Sequence, residues 1–175
     1  MLNEAFELHK EAKLHTFSFS MTPKLWQNFS VSQDIMDSLQ WKEVKFLNDE
    51  GTAFSDEFDQ IPNNQGGIYI FIIKSKVLPG ISEYLAYIGR AQVTPNHSLK
   101  SRCKRYFREY LNEKERPKIT ALLNFFKEHL YLKYATVPDN ETIVRLEAEL
   151  INSILPPFND AIPNKVVRQA VNAFV

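Results

Sequence analysis

The chain is nearly free of cysteine. Cys103 is the single one in 175 residues, which excludes an internal disulfide and any multi-cysteine zinc site. Its helical spacing from Leu99 and Phe107 reads as a small core residue before a reactive thiol. Long apolar runs are missing as well: nothing approaches the roughly 18 consecutive apolar residues of a membrane span. The first residues, Met1 to Phe6, show no basic segment leading into an apolar one, so a cytoplasmic protein with no membrane partner is expected. Net charge is absent too, with 21 basic and 21 acidic side chains, and a zero balance argues at first against a nucleic-acid partner.

The distribution of that charge says otherwise. Residues 1–65 hold five lysines against eleven acids, a net of −6, while residues 66–175 hold the other sixteen bases against ten acids, +6. An acidic first part and a basic second part fit a phosphate-binding domain with a scaffolding extension, and fit equally two segments that attract each other. With 44% hydrophobic and 13% aromatic residues, the chain can bury a sizeable core as one domain with an elaboration.

What is there is organised around two triplets, Gly67-Ile68-Tyr69 and Tyr87-Ile88-Gly89. Both sit in β-branched and aromatic runs that read as strands. The connection from Lys74 to Glu83 holds Pro79 and Gly80, which suits a hairpin loop better than a crossover helix, so an antiparallel pair is expected with Tyr69 and Tyr87 near each other. On those six residues alone, two strand tyrosines mean packing.

Upstream, Asn3 to His15 is at best a weakly amphipathic helix, Thr16 to Ser20 alternates as a short strand ended by Met21-Thr22-Pro23, Ser32-Gln33-Asp34 starts a helix, and Trp41 to Leu47 is the best strand of this half. Asn48 to Gln65 reads as a loop. This extension, residues 1–65, covers a core edge, reads DNA sequence or holds a dimer together; nothing in it carries a chemical signature.

Downstream, a helix from Leu99 to about Leu111 is capped near Asn96, His97 or Ser98 and buries Leu99, Cys103, Phe107 and Tyr110. Its cations Lys100, Arg102, Lys104, Arg105 and Arg108 form a solvated face or meet a phosphate backbone, and Arg102 and Tyr106, four apart, lie beside the buried stripe. His97 could be a general base but sits in a turn, where capping explains it. After a charged break at Asn112 to Lys118, Ile119 to Leu130 is a scaffold helix and Tyr131 to Val137 a third strand.

Asp139 or Asn140 then caps a helix to about Leu155, on which Glu147 falls inside the apolar stripe of Ile143, Leu146, Leu150 and Ile151. A carboxylate there must be paired or bound to a cation, because leaving it bare costs several kcal/mol by order of magnitude. An ion pair, for instance with Arg102, and a hard divalent metal are both solutions. Asn159, behind Pro156-Pro157-Phe158, can tie the chain back to the sheet, and residues 161–175 form a tail that can cover the core.

This succession resembles the GIY-YIG nuclease family. The resemblance covers about Gly66 to Asn159, and the twelve-residue separation of Glu147 from Asn159 is its most specific match; the loop between the triplets is longer than in the simplest members. It implies an α+β fold, a small three-stranded antiparallel sheet flanked by helices at residues 66–160, with the N-terminal α/β extension before it. It also implies a metal-dependent DNA endonuclease, of restriction or phage-defence type. In that scheme Glu147 holds one Mg²⁺, for which Mn²⁺ can substitute; Arg102 braces the phosphoryl group; Tyr69 is the general base; Tyr87 and Tyr106 position water or phosphate. Arg90, Lys100, Lys104, Arg105 and Arg108 contact DNA, and Gly67, Gly89 and Asn159 support the site. A phenol ionises near pH 10, so cations, among them Arg102, the metal and Lys74 or Lys76, have to favour its phenolate. A catalytically silent DNA-binding module, a protein-interaction domain and self-pairing as a homodimer stay open.

Overall fold

The structure, a computed structural model, describes residues 4, 5, 7, 8, 16–31, 33–112 and 116–174. Its centre is the hairpin of β2 (Gly67–Lys74) and β3 (Glu83–Ala91), antiparallel as the loop composition predicts. Side chains alternate across a strand, so Tyr69, Phe71 and Ile73 point to one face and Ile68, Ile70 and Ile72 to the other, and nearly all of β2 is buried. Register sets Tyr69 opposite Gly89 and Phe71 opposite Tyr87, with an irregularity between Phe71 and Ile72.

The far side of β2 pairs with β4 (Leu130–Thr136), and β4 pairs with β1 (Lys42–Lys45). The sheet therefore has four antiparallel strands in the order β1-β4-β2-β3, where the sequence predicts three. The strand expected at Trp41 to Leu47 is present as β1, and it is what brings the count of strands in the sheet to four. β1 is a short edge strand burying Val44 and leaving Lys42 and Glu43 outward, and its pairing with a segment some ninety residues away has no local signature.

Two helices before it, α1 (Pro23–Asn28) and α2 (Gln33–Ser38), bring Val31, Ile35, Leu39 and Trp41 against the far core. α1 begins where the reading has Pro23 ending a strand: Thr16 to Ser20 forms no strand, and Pro at the first helical position starts the helix. Most of the helix expected from Asn3 to His15 lies outside the described residues. The loop from Asn48 to Gln65 is not structureless: it carries a 3-10 turn, Asp56–Gln60, and folds Phe54, Phe58 and Ile61 onto Phe46.

On the Tyr69 face lie α3 (Leu99–Leu111) and α4 (Pro117–Phe126), and on the Ile68 face α5 (Asn140–Ile154). α3 starts at Ser98, whose hydroxyl accepts from the Ser101 amide at 3.2 Å while the Ser101 hydroxyl accepts from the Ser98 amide at 2.8 Å. α5 starts at Asp139, whose carboxylate accepts from the Thr142 amide at 2.6 Å, and it stops at Leu155 in a left-handed turn before the two prolines. A last helix, α6 (Lys165–Phe174), lays Val167 inward, as the apolar spacing of the tail suggests. No helix among the described residues is long and apolar enough to cross a membrane.

Gly67 marks the tightest point of the sheet. A Cβ placed on it would stand 2.0 Å from the Ala135 carbonyl oxygen of β4. Backbone on the partner strand cannot yield as a side-chain tip can. Gly67→Ala is therefore expected to destabilise the fold by about 3 kcal/mol, read as a lower urea midpoint at unchanged slope.

Candidate active site at the edge of strand β3

β3 is the edge strand opposite β1, and near its end the two faces of the sheet meet. Tyr69, Tyr87 and Tyr106 approach from one face; Glu147 approaches from the other, on α5; Arg90 and Arg102 stand at the seam. The sequence places all of these in the site, and the structure brings them together in two adjoining groups.

The first group is a cluster of phenols. The Tyr106 hydroxyl lies 2.7 Å from that of Tyr69 and 3.0 Å from that of Tyr87, so one oxygen joins all three. The hairpin makes this possible. Tyr69 projects across to Gly89, where a Cβ would fall 2.5 Å from the phenol ring and hydroxyl, so the glycine of the second triplet is the space that the tyrosine of the first occupies. Tyr69 is fully buried, and burial first, then Tyr106, Tyr87 and Cys103, push its pKa well above the ordinary phenol value; Arg102 is the cation that opposes them. Tyr87 is also pushed up, by burial and by Tyr106, with Arg116 opposing. Of the cations expected to favour a phenolate, Arg102 acts in that direction on Tyr69. Lys74 contributes nothing to it, since its ammonium is held at 2.6 Å by Glu43 and 2.9 Å by Glu83 at the far end of the hairpin.

The second group surrounds a polar hollow of about 350 Å³ lined by Arg90, Gln92, Thr94, His97, Arg102, Arg105 and Glu147. Glu147 lies within the stripe of α5, with a carboxylate 14% exposed. Its ion-pair partner is Arg90, from β3, and not Arg102 as the sequence reading offers. The reason is the sheet: Arg90 follows Ile88 on the face that α5 covers, while Arg102 reaches the hollow from the other face. Burial raises the Glu147 pKa even against Arg90 and Arg102, so the carboxylate is short of positive charge. Among the described residues no three His, Cys, Asp or Glu side chains gather as a metal cage. One desolvated carboxylate fits a hard cation that keeps most of its water, such as Mg²⁺, and does not fit one that needs a full protein shell.

Arg102 joins the groups. It lines the hollow with Glu147, stands beside the Tyr69 phenol, and has its guanidinium carbon 5.6 Å from the Tyr106 ring centre. Asn159 secures the strand below them: its amide donates to the Ile88 carbonyl at 2.8 Å and accepts from the Ile88 amide at 2.9 Å, while the Phe158 amide donates to the Ala86 carbonyl at 3.1 Å.

The remaining cations of α3 differ in situation. Lys100 is tied to Asp59, by its carboxylate at 2.8 Å and its carbonyl at 3.2 Å, and so braces the 3-10 turn. Arg105 donates to Glu109 at 2.5 Å while lining the hollow. Lys104 is half-buried and Arg108 exposed, and neither forms an ion pair among the described residues. His97, read as a turn residue, lies on the wall of the hollow.

Sequence reading missed Arg116 and Glu109. Arg116 places its guanidinium carbon 4.9 Å from the Tyr106 ring centre. Glu109 is buried although it occupies a helix otherwise rich in exposed charge. The signal for Glu109 was present: seven residues after Arg102, it lies about 20° round the helix from it. A larger cavity of about 520 Å³, whose walls include Phe17, Phe19, Tyr84, Phe126 and Phe158, shares no residue with the hollow and is lined by no carboxylate among the described residues. No family model matches the chain, and no curated protein or solved structure matches it either.

Proposed function

We propose that this chain is a metal-dependent DNA endonuclease of the GIY-YIG kind, hydrolysing phosphodiester bonds as a compact restriction-type or phage-defence enzyme. The observation that carries the reading is the position of Arg102, beside the Tyr69 phenol and in one hollow with the desolvated Glu147.

Hydrolysis requires a deprotonated water in line with phosphorus, neutralisation of charge on the phosphoryl oxygens, and help for the leaving oxygen. Glu147 would hold Mg²⁺, which when bound supplies charge neutralisation at the phosphate and the leaving group. Arg90 and Arg102 bind the phosphate, and Lys104 and Arg108 take up flanking phosphates along the outer side of α3. Arg102 and Tyr106 close Tyr69 off from solvent. Drawing Arg102 toward a phosphate uncovers the hydroxyl and leaves it next to the reacting centre. Tyr69 acts as base only as the phenolate: its own proton leaves to solvent once the hydroxyl is uncovered, and the phenolate then takes a proton from the attacking water, with the Tyr106 hydroxyl donating to its oxygen and Tyr87 donating to Tyr106.

The direct test is incubation of the protein with mixed plasmid DNA and Mg²⁺, followed by sequencing of the ends. Cleavage that stops when EDTA is added and resumes with excess Mg²⁺ is expected, with discrete ends for a restriction-type enzyme. Salt-dependent DNA binding without cleavage would turn the reading to a silent DNA-binding module, and no DNA affinity at all to a protein-interaction domain.

A further inference from the structure

Arg116 occupies a place that local electrostatics disfavours. It is the cap residue at the start of α4, with no side-chain capping bond, so a guanidinium stands at the positive end of a helix dipole. The side chain turns instead toward α3. Its Nη1 donates to the Glu109 carboxylate at 3.3 Å, and the guanidinium carbon lies 4.9 Å from the centre of the Tyr106 ring, closer than that of Arg102 at 5.6 Å. Glu109 is 9% exposed in its side chain, and Arg105 bonds its other oxygen. One buried carboxylate, three residues after Tyr106, thus fixes a second cation against the ring whose hydroxyl joins Tyr69 to Tyr87.

Resting for its catalytic part on the nuclease reading, we infer that Arg116, anchored by Glu109, is a positioning residue of the tyrosine cluster, holding Tyr106 in place and supplying the positive charge that a phenolate among the three phenols requires. The charged and titratable groups facing Tyr106 are Tyr69 from β2, Tyr87 from β3, Arg102, Cys103 and Glu109 from α3, and Arg116 itself. Glu109 is the standing anion among them. Removing Arg116 leaves that anion balanced by Arg105 alone, whose side chain is 58% exposed and screened by water. The field at the cluster then becomes more negative, and a phenolate becomes harder to form. Arg102 serves the Tyr69 end and Arg116 the Tyr87 end, so the two cations are not duplicates.

The test uses Arg116→Gln and Arg116→Lys in the full chain, with Arg116→Met standing in should the Gln variant not fold. Tyrosine ionisation is followed by NMR of ¹³C-labelled tyrosine without DNA or metal, and single-turnover cleavage is followed against pH. The neutral variant is expected to move the first ionisation of the coupled phenols up by about one unit, which is about tenfold less phenolate at a given pH. Cleavage falls by about the same tenfold and its rising limb moves to higher pH, while Arg116→Lys recovers most of both. A folded neutral variant with unmoved tyrosine ionisation overturns the inference, as does equal damage from Lys and Gln, which would make the side chain's shape its only role. If ionisation moves in a protein that cuts no DNA, Arg116 keeps its role and the nuclease reading falls. If the protein cuts DNA and ionisation stays put, the nuclease reading stands and Arg116 loses its role.

Discussion

On the nuclease reading, Glu147→Gln is expected to lower Mg²⁺-dependent cleavage by about a thousandfold while the protein melts within a few degrees of the original. The two halves of that result have separate causes. Glutamine keeps the volume and can still accept from Arg90, which is 38% exposed and loses little by losing a partner charge. Burial already penalises the Glu147 carboxylate, so a neutral amide removes a desolvation cost along with the ion pair, and the net change in stability is expected within about 1 kcal/mol. Among the described residues a hard cation has no other carboxylate on the hollow to use, so its binding and its charge at the phosphate would be lost together. Single-turnover rates with calorimetry on the same samples separate the two, and a Gln variant of full activity would remove Glu147 from the mechanism.

Tyr69→Phe is expected to cut the rate by about a thousandfold as well, with a different signature at high pH. Near neutrality its stability changes little, by about 1 kcal/mol, because Tyr106 keeps Tyr87 as a partner and no buried hydroxyl is orphaned. The alkaline behaviour follows from the raised Tyr69 pKa. A phenol that stays protonated when folded but ionises near pH 10 when unfolded leaves the unfolded chain with fewer bound protons above that value. The stabilisation linked to it is complete below pH 10 and is lost as pH rises from there toward the folded value, at up to about 1.4 kcal/mol per pH unit for each such phenol. Tyr87 behaves in the same direction. Tyr69→Phe removes one share of that slope, so urea unfolding at several pH values above 10 should show a shallower decline than in the original. Equal slopes would show that the folded Tyr69 pKa is not raised, and undiminished cleavage at pH 8 would show that Tyr69 is a packing residue.

The sequence carried the local parts of this structure well. The hairpin was legible from its β-branched triplets and loop chemistry, α3 from Ser98 and its spacing, and α5 from Asp139 and its stripe, because caps and periodicity act over a few residues. The same periodicity put Glu147 on an inward face. It could not name the partner. Arg102 stood as the example, Arg90 is the partner, and the choice was made by which face of the sheet each element covers. The pairing of β1 with β4 was hidden for the same reason, as was the packing of Phe54 and Phe58, whose burial depends on a contact with Phe46 and not on any pattern in their own loop. Arg116 was hidden in a charged break, and its contacts with Glu109 and Tyr106 of α3 have no signature in the nearby sequence.

The Asn159 amide has a consequence for the protein's behaviour in a crowded solution. An outermost strand with free N–H and C=O groups is a template on which another polypeptide can add, the first step of edge-to-edge polymerisation. Here one primary amide occupies both groups of Ile88 and the adjoining backbone takes the Ala86 carbonyl, so the ladder of β3 is terminated by its own chain. That side chain is a stopper as well as a brace: it leaves the end of β3 open to a ligand at Arg90 while denying the middle of the strand to a neighbouring molecule.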